Sequence, residues 1–300
     1  MKFSAYEDIL HITSKWTGER FDDGRPRVPD DILKRLKALT LEEAWGPLWK
    51  AGYKYQFVGG FQTTKPDQKL IGRAVTSTLV PLRPDLQEIL LNYGHNEEGR
   101  KGNYNQWVID TLVEDDVIVI DLFDKVFQGT YVGGNLSTAI ATRTKNGGAV
   151  IWGGIRDMEQ IVKIPNLQVY HRGEDPTAIA EITMISMNGP TAIGGAVCLP
   201  GDVVFATISG VLFIPPHMAE ECVIGAEKSH IRDVFGFLRL GEGSYTTAQI
   251  DTAWTVDMWE DFINWIKTDI RGEGARHLDW SAEMAESKAL AAAATPQVIL

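Results

Sequence analysis

The chain has 300 residues, 44% hydrophobic and 23% charged, a balance typical of a globular protein long enough to bury most of its surface in one large domain, with or without an extension. Its 29 Lys and Arg face 40 Asp and Glu, and the resulting net charge of −11 disfavours nucleic acid and anionic lipid as partners. The N-terminal stretch has no apolar segment behind a basic one, and no apolar run reaches about 18 residues, so neither secretion nor a membrane span is expected.

The two cysteines, Cys198 and Cys222, lie in apolar contexts and form no Cys-x-x-Cys pair. They are too few for a disulfide framework, so we interpret them as buried thiols of a cytoplasmic protein.

The N-terminal third begins with helical patterns and continues with strands. Apolar residues recur at helical spacing from Pro29 to Leu39, and a second helix is predicted from Leu41 to Lys50, ending at Gly52. The stretches KYQFVGG and LIGRAVTSTLVPL have the β-branched residues and the Gly and Pro boundaries of strands. The polar segment 92–102 is expected to be a loop.

The middle of the chain alternates strands and helices. The run DDVIVIDLF at 115–123 is typical of a strand buried on both faces. A helix is predicted from Asn135 to Lys145, followed by a strand at 149–152, a short helix and a strand at 167–172. This order predicts a parallel sheet with right-handed crossovers.

From Ala178 the pattern changes to short strands separated by turns such as Asn188-Gly189 and Ser209-Gly210, which predicts hairpins. The remainder, from about His217, is expected to be helical. One apolar stripe is predicted there, formed by Val256, Trp259, Ile263, Ile266 and Ile270, and it would pack on the body or on a neighbouring subunit. The closing LAAAATPQVIL is expected to be loosely ordered.

The segment from Gly133 to Asp157, GGNLSTAIATRTKNGGAVIWGGIRD, carries the most chemistry. Two glycines precede the predicted helix start at Asn135, where free backbone N–H groups favour a carboxylate or phosphate. Arg156 and Asp157 follow the next strand and should emerge at the same sheet edge, where open α/β sheets bind ligands. Arg offers a planar fork for a carboxylate and Asp a hard oxygen for Mg²⁺ or Mn²⁺, so together they could bind an α-keto acid. The alternative is an ordinary Arg–Asp pair with Asp157 as the N-cap of a helix.

This segment resembles the ribonuclease E activity regulator A-like (RraA-like) family, in which an Ala-rich helix and a hydrophobic strand lead to Gly-Gly-x-Arg-Asp. Three further stretches resemble family motifs in the same order: LIGRAVTST, DDVIVID and CLPGDVVFATISGVLFIPPHMAEE. The resemblance covers roughly Leu41 to Gly243.

The resemblance implies an α/β fold of the swivelling β/β/α type, assembled as a homotrimer or homohexamer with sites at subunit interfaces. We therefore expect an N-terminal helical segment at 1–40, an RraA-like domain at 41–243 and a helical, Trp-rich C-terminal extension at 244–300. Catalytic members of the family are divalent-metal aldolases that act on 4-hydroxy-4-methyl-2-oxoglutarate and 4-carboxy-4-hydroxy-2-oxoadipate and also decarboxylate oxaloacetate.

By that similarity, Arg156 would bind a small carboxylate substrate and stabilise enolate charge, and Asp157 would bind Mg²⁺ or Mn²⁺. The backbone at Asn135, Leu136 and Ser137 would cradle the substrate carboxylate. An acidic residue of a neighbouring subunit contributes in the family, and Glu227 is the candidate here for that metal-site role.

Two positions depart from the family pattern. Asn135 stands 21 positions before Arg156, where the aldolases have an acid, and ATISG replaces the usual ADxDG of the hairpin. Three functions therefore stay open. The first is a metal-dependent aldolase that forms pyruvate or a related enolate. The second is a hydro-lyase or decarboxylase that uses the same site on a sugar acid or hydroxy acid. The third is a non-catalytic regulatory binding protein.

Overall fold

A computed structural model describes residues 5–294 of the chain. It divides into two compact units, one up to Val223 and one from Ile224 onward. The predicted boundaries after residues 40 and 243 stay predictions.

The N-terminal unit contains all the strands of the described residues. They are β1 Phe57–Val58, β2 Gln62–Thr63, β3 Leu70–Pro81, β4 Asp116–Thr130, β5 Gly148–Ile155, β6 Gln168–His171, β7 Gly173–Glu174, β8 Ile182–Met187, β9 Thr191–Ile193, β10 Ala196–Cys198, β11 Val203–Thr207 and β12 Gly210–Ile214.

The helices occur in both units. They are α1 Tyr6–Ile12, α2 Asp30–Leu36, α3 Leu41–Lys50, α4 Pro84–Asn92, α5 Tyr104–Ile109, α6 Gly134–Thr144, α7 Met158–Ile161, α8 Ala219–Gly241, α9 Thr247–Ile250, α10 Val256–Thr268 and α11 Ser281–Ala294.

One large sheet organises the N-terminal unit, with strand order β1-β12-β11-β3-β4-β5-β6-β2. Its centre is parallel, because β3 pairs with β4, β4 with β5, and β5 with β6 in the same direction. The predicted sequence of strand, helix, strand, helix, strand is therefore confirmed by β4, α6, β5, α7 and β6. The α/β class and the helical C-terminal region are confirmed as well.

The central strand β4 is buried on both faces, as its apolar run predicts. Ile118 and Ile120 belong to a core that includes residues of α5 and α6. Val117 and Val119 belong to a second core shared with the hairpin strands β9 to β12. Successive residues of a strand point to opposite faces, so this alternation puts one hydrophobic layer on each side of the sheet.

The predicted hairpins are present. β9 pairs with β10, and β11 pairs with β12, both antiparallel. Asn188, in the predicted turn after β8, has φ 52°, a left-handed conformation that Asn tolerates better than most residues.

The segment before β3 is fastened to the sheet by buried arginines. Arg25, with 1% of its side chain exposed, donates to both carboxylate oxygens of Asp116 at 2.8 and 3.1 Å. Arg73 donates through Nε to the carbonyl of Val28 at 2.7 Å and pairs with Asp30. A buried charge without its partner would cost several kcal/mol. The segment before β3 is therefore held firmly against the sheet.

The region between β3 and β4 differs from its prediction. Helix α4 ends at Asn92 and continues into a π-helical turn, Tyr93–Glu97, where a loop was predicted. The π turn packs closely against Trp107: a Cβ on Gly94 would lie 2.3 Å from that ring. Aromatic packing of this kind stabilises a polar segment that has no helical periodicity of its own.

The C-terminal unit encloses a separate aromatic core. Helix α10 buries Met258, Trp259, Phe262, Trp265 and Ile266. The predicted stripe was therefore rotated: Trp259 and Ile266 are buried, but Ile270 lies beyond the helix and is 76% exposed. Phe262 contacts the rings of Trp254, Trp259 and Trp280, so the tryptophans pack with one another in the core of this unit.

The prediction of a loosely ordered end is wrong for residues 290–294, which continue helix α11, and the rest of that segment lies outside the described residues. Both cysteines are buried thiols, as predicted. Across residues 5–294, none of the helices combines the length and apolar character that crossing a lipid bilayer would need.

Candidate active site

The candidate site lies where two neighbouring parallel strands end. Helix α6 follows β4, and Arg156 and Asp157 follow β5, the strand paired with β4. Tyr131 N–H donates to the carbonyl of Gly154 at 2.9 Å, and Arg156 N–H donates to the carbonyl of Val132 at 3.0 Å. These bonds fix the start of α6 against the Arg-Asp pair, at the sheet edge predicted from the order of the strands.

Asp157 has a left-handed backbone, with φ 60° and ψ 38°. Its Oδ2 accepts a hydrogen bond from Gly134 N–H, the first residue of α6, at 3.1 Å. It makes no side-chain capping bond in α7, the helix that follows it. Asp157 thus caps the helix across the site instead of its own, and its carboxylate is fixed at the positive end of α6.

Arg156 lies beside this carboxylate, with Nε 3.9 Å from Asp157 Oδ2. A Cβ on Gly133 would lie 2.4 Å from Asp157 Oδ2 and 2.9 Å from Arg156 Nε. Both side chains therefore lie directly over the Gly133 backbone, and only glycine leaves room for them. The Arg156 and Asp157 side chains are 40% and 38% exposed, so solvent and small solutes reach the pair.

The backbone donors at the start of α6 are only partly available. Gly134 N–H bonds to Asp157, and Ser137 N–H donates to the carbonyl of Gly133 at 3.0 Å. The N–H groups of Asn135 and Leu136 meet no acceptor within residues 5–294. Of the three residues predicted to cradle a carboxylate, these two have free donors in this structure.

Two features of the site were not predicted. The hydroxyl of Ser137 is buried and has no partner in the described part of the chain, so it is an additional hydrogen-bonding group beneath the helix start. Gln160 covers Gly134 closely, because a Cβ there would lie 2.1 Å from Gln160 Oε1. The signal for Gln160 was its position three residues after Asp157, one helical turn along α7.

A divalent cation would find one carboxylate here. Residues 5–294 contain no cluster of three or more His, Cys, Asp or Glu that could bind a metal. Asp157 Oδ1 accepts no hydrogen bond from these residues and is available. One carboxylate oxygen fits a Mg²⁺ ion that keeps several waters and takes its other ligands from the substrate.

Two further titratable residues belong to other elements of the chain. Glu227 is on α8, in the C-terminal unit. His171 is fully buried at the end of β6, with Nδ1 3.1 Å from the carbonyl of Gly173, and burial lowers its pKa. His171 is thus a neutral, buried side chain rather than a surface ligand.

Comparison with known proteins connects this edge to a family. Protein DlpA of Legionella pneumophila is 31% identical over 169 residues, which are 55% of this chain but only 25% of DlpA, so the chain spans about a quarter of that relative.

Two crystal structures resemble the fold. Streptomyces coelicolor RraAS2, described as an unusual member of the RNase ES inhibitor RraA family, is 24% identical, with a TM-score of 0.60 over 71% of this chain and 100% of its own. A protein from Pseudomonas syringae pv. tomato is 19% identical, with a TM-score of 0.60 over 76% of this chain and 100% of its own. At these identities the likeness concerns the fold.

The match to a family model decides the assignment. The model, described as Aldolase/RraA, matches residues 41–213, which are more than half of the chain and include the whole of the Arg156-Asp157 edge. The family includes aldolases and decarboxylases as well as non-catalytic regulators, and its lyases often use divalent metals. The chain belongs to the RraA-like family.

Proposed function

We propose that the chain is a lyase dependent on Mg²⁺ or Mn²⁺ that cleaves a hydroxylated 2-oxo acid and releases pyruvate or a related product. One observation carries the proposal: the Asp157 carboxylate is bonded to Gly134 N–H at the start of α6, and the Arg156 side chain lies beside it over Gly133. A left-handed non-glycine residue costs free energy, and such strain clusters at functional sites.

Arg156 supplies the positive charge of the proposed reaction. Its terminal guanidinium nitrogens donate to no acceptor within residues 5–294, so they are available to a substrate carboxylate. A planar fork binds a carboxylate through two parallel hydrogen bonds. The N–H groups of Asn135 and Leu136 add further donors at the start of α6.

The proposed cleavage is a retro-aldol step. A base removes the proton of the substrate's hydroxyl, that oxygen becomes a carbonyl, and the adjacent carbon–carbon bond breaks. The bonding electrons then occupy the enolate of the 2-oxo acid fragment, which takes up a proton to give pyruvate. Arg156 stabilises the oxyanion as it develops, and preorganised donors of this kind lower the barrier because they need no reorientation.

Asp157 is the residue that would bind the metal. When bound there, a divalent cation would supply Lewis-acid stabilisation of that oxyanion. Gly134 N–H donates to Oδ2 of this carboxylate and so orients it, as hydrogen bonds to metal-binding carboxylates commonly do.

The remaining acidic residue of the proposal is Glu227. We propose that it acts from a neighbouring subunit of a homotrimer or homohexamer, completing the site with a second carboxylate. Light scattering measures the assembly state. Mixing Glu227→Gln chains with Arg156→Lys chains, each impaired alone, would raise activity above that of either variant if the two residues act across an interface. No recovery would assign Glu227 to another role.

A second function is favoured by one residue, Asn135, which is an exposed amide where the aldolases have an acid. An amide neither takes a proton nor brings negative charge to a cation, but it donates a hydrogen bond to an anion. The same site could therefore run a hydro-lyase or decarboxylase reaction on a sugar acid or hydroxy acid.

The test is a screen of hydroxylated 2-oxo acids, oxaloacetate and sugar acids for product release with Mn²⁺ and after exhaustive EDTA treatment. Pyruvate from a hydroxylated oxo acid, lost on chelation and regained with Mn²⁺, supports the lyase. Full activity in EDTA would remove the metal from the proposal. No turnover of any acid, with the fold intact by circular dichroism, would favour a regulatory binding protein.

A further inference from the structure

A cavity of about 280 Å³ lies in the N-terminal unit, apart from the residues of the candidate active site. It opens between the end of α1 with the residues after it, the loop before β1, and the turns that flank β11 and β12. Its walls combine apolar surfaces, such as Trp16 and Pro216, with the polar side chains of Thr13 and Gln56 and four titratable ones: Lys15, Tyr53, Asp202 and His217.

Asp202 is the unusual member of this wall. Its side chain is almost fully buried, with 2% exposed, and its Oδ2 accepts from Leu199 N–H at 2.8 Å. Its Oδ1 has no hydrogen-bond partner within the described residues. The great majority of buried polar atoms in proteins are paired, so an unpaired carboxylate oxygen in a residue that lines a cavity indicates room for a partner.

Lys15 supplies the positive charge of the cavity. Its ammonium donates to no acceptor within residues 5–294. Partial burial, together with the charge of Lys15, lowers the pKa of His217, whose Nε2 lies 2.9 Å from the hydroxyl of Tyr53. His217 is therefore neutral at pH 7, and Lys15 is the cation that an anionic group would meet.

We infer that this cavity is a second binding site, for a small aromatic carboxylate that carries a hydroxyl group. The carboxylate would pair with Lys15, the ring would lie between Trp16 and Pro216, and the hydroxyl would bond to Asp202 Oδ1. Burial raises the pKa of Asp202 to about 7, and a ligand hydroxyl can donate to the carboxylate or accept from the carboxyl, so it satisfies both forms.

The cavity has the size and composition of a small-molecule site, since such sites are mostly apolar and carry a few convergent polar groups. All of its lining residues precede α8 and none is Arg156, Asp157 or Asn135. The inference is thus independent of the proposed lyase activity, and either can fail without the other.

The experiment is calorimetric titration of the full chain with the three hydroxybenzoate isomers, and then with benzoate and phenol, which each lack one of the two polar groups. We expect one isomer to bind about tenfold more tightly than benzoate or phenol, because each missing group leaves a protein partner unpaired. Equal affinity for the isomer, benzoate and phenol, or no binding by any isomer, would overturn the inference.

Variants then locate the site. Lys15→Ala should lower the affinity for the best isomer about tenfold. It should leave the affinity for phenol unchanged, because phenol has no carboxylate to pair with Lys15. Asp202→Asn should lower the affinity for that isomer and leave the affinity for benzoate unchanged. Lys34→Ala, which removes an exposed lysine of α2, is the matched control and should change nothing.

The candidate active site also binds carboxylates in our proposal, and one variant separates the two sites. Loss of isomer binding in Arg156→Ala, with full binding in Lys15→Ala, would assign the probe to the active site and refute the second site. If Asp202→Asn does not fold, the Lys15→Ala comparison of the isomer with phenol decides alone, since Lys15 is exposed.

Discussion

Asp202→Asn should change the pH dependence of stability. Asp202 lies in the turn between β10 and β11, and burial raises its pKa from 3.8 to about 7. The folded chain thus binds this proton more tightly than the unfolded chain. The stability that the bound proton confers is complete below about pH 4 and declines as the pH rises towards 7.

The size of this effect follows from the two pKa values. Each pKa unit corresponds to about 1.4 kcal/mol, so the free energy of unfolding should fall by about 4 kcal/mol between pH 4 and pH 8 through this one carboxyl. The Asp202→Asn variant would have no such dependence. The amide oxygen of the new side chain can still accept from Leu199 N–H, and its buried NH₂ adds a cost of about 1–3 kcal/mol at every pH.

Urea unfolding at pH 5 and pH 8 measures the difference. We compare the free energy of unfolding of Asp202→Asn with that of the natural chain at each pH. This difference should be more favourable to the variant at pH 8 than at pH 5, by several kcal/mol. Asp67→Asn, at an exposed aspartate before β3, is the control for general charge effects. If the stability change caused by Asp202→Asn is the same at both pH values, the carboxyl titrates normally and the reasoning from its burial is wrong.

The other predictions concern the active site and the C-terminal core. Arg156→Lys should lower kcat/KM on the order of 100-fold, because an ammonium cannot reproduce the fork, and near-normal turnover would remove Arg156 from the site. Gly133→Ala should lower activity by displacing the Asp157 carboxylate, whereas Gly195→Ala, in open space, should not; equal kinetics would show that the close approach is unimportant. Asn135→Asp should tighten Mn²⁺ binding but weaken substrate binding if the amide faces the anion, as titration and KM can show. Phe262→Ala should cost about 3–5 kcal/mol in urea unfolding, and a cost below about 1 kcal/mol would mean a loose core.

The sheet could be predicted because its pattern is local. The apolar run of β4 and the glycines that end α6 determine their own structures with little help from the rest of the chain. The helices between β3 and β4 were missed although they carry start signals: α4 begins at Pro84, and the side chain of Gln106 accepts from the N–H of Asn103. These helices contain too few apolar residues for a helical spacing to be recognised in the sequence.

The place of the candidate residues in the fold could be predicted, but their local geometry could not. The order of parallel strands brings Arg156 and the start of α6 to one edge, and this follows from topology alone. The hydrogen bond from Gly134 N–H to Asp157 could not be predicted. It depends on a left-handed backbone at Asp157, which an aspartate tolerates but does not require. The alternative, in which the Asp157 side chain caps α7, needs only local contacts; in the structure that side chain accepts from Gly134 N–H instead.

The pairing of Arg25 with Asp116 has a consequence for how the chain folds during synthesis. The two residues are 91 positions apart, so the ribosome releases the arginine several seconds before its partner exists, at rates of about 5–20 residues per second. During that interval the guanidinium must stay hydrated. The N-terminal segment therefore completes its docking only after β4 has been made, so a contact of the first residues has to wait for a strand in the middle of the N-terminal unit.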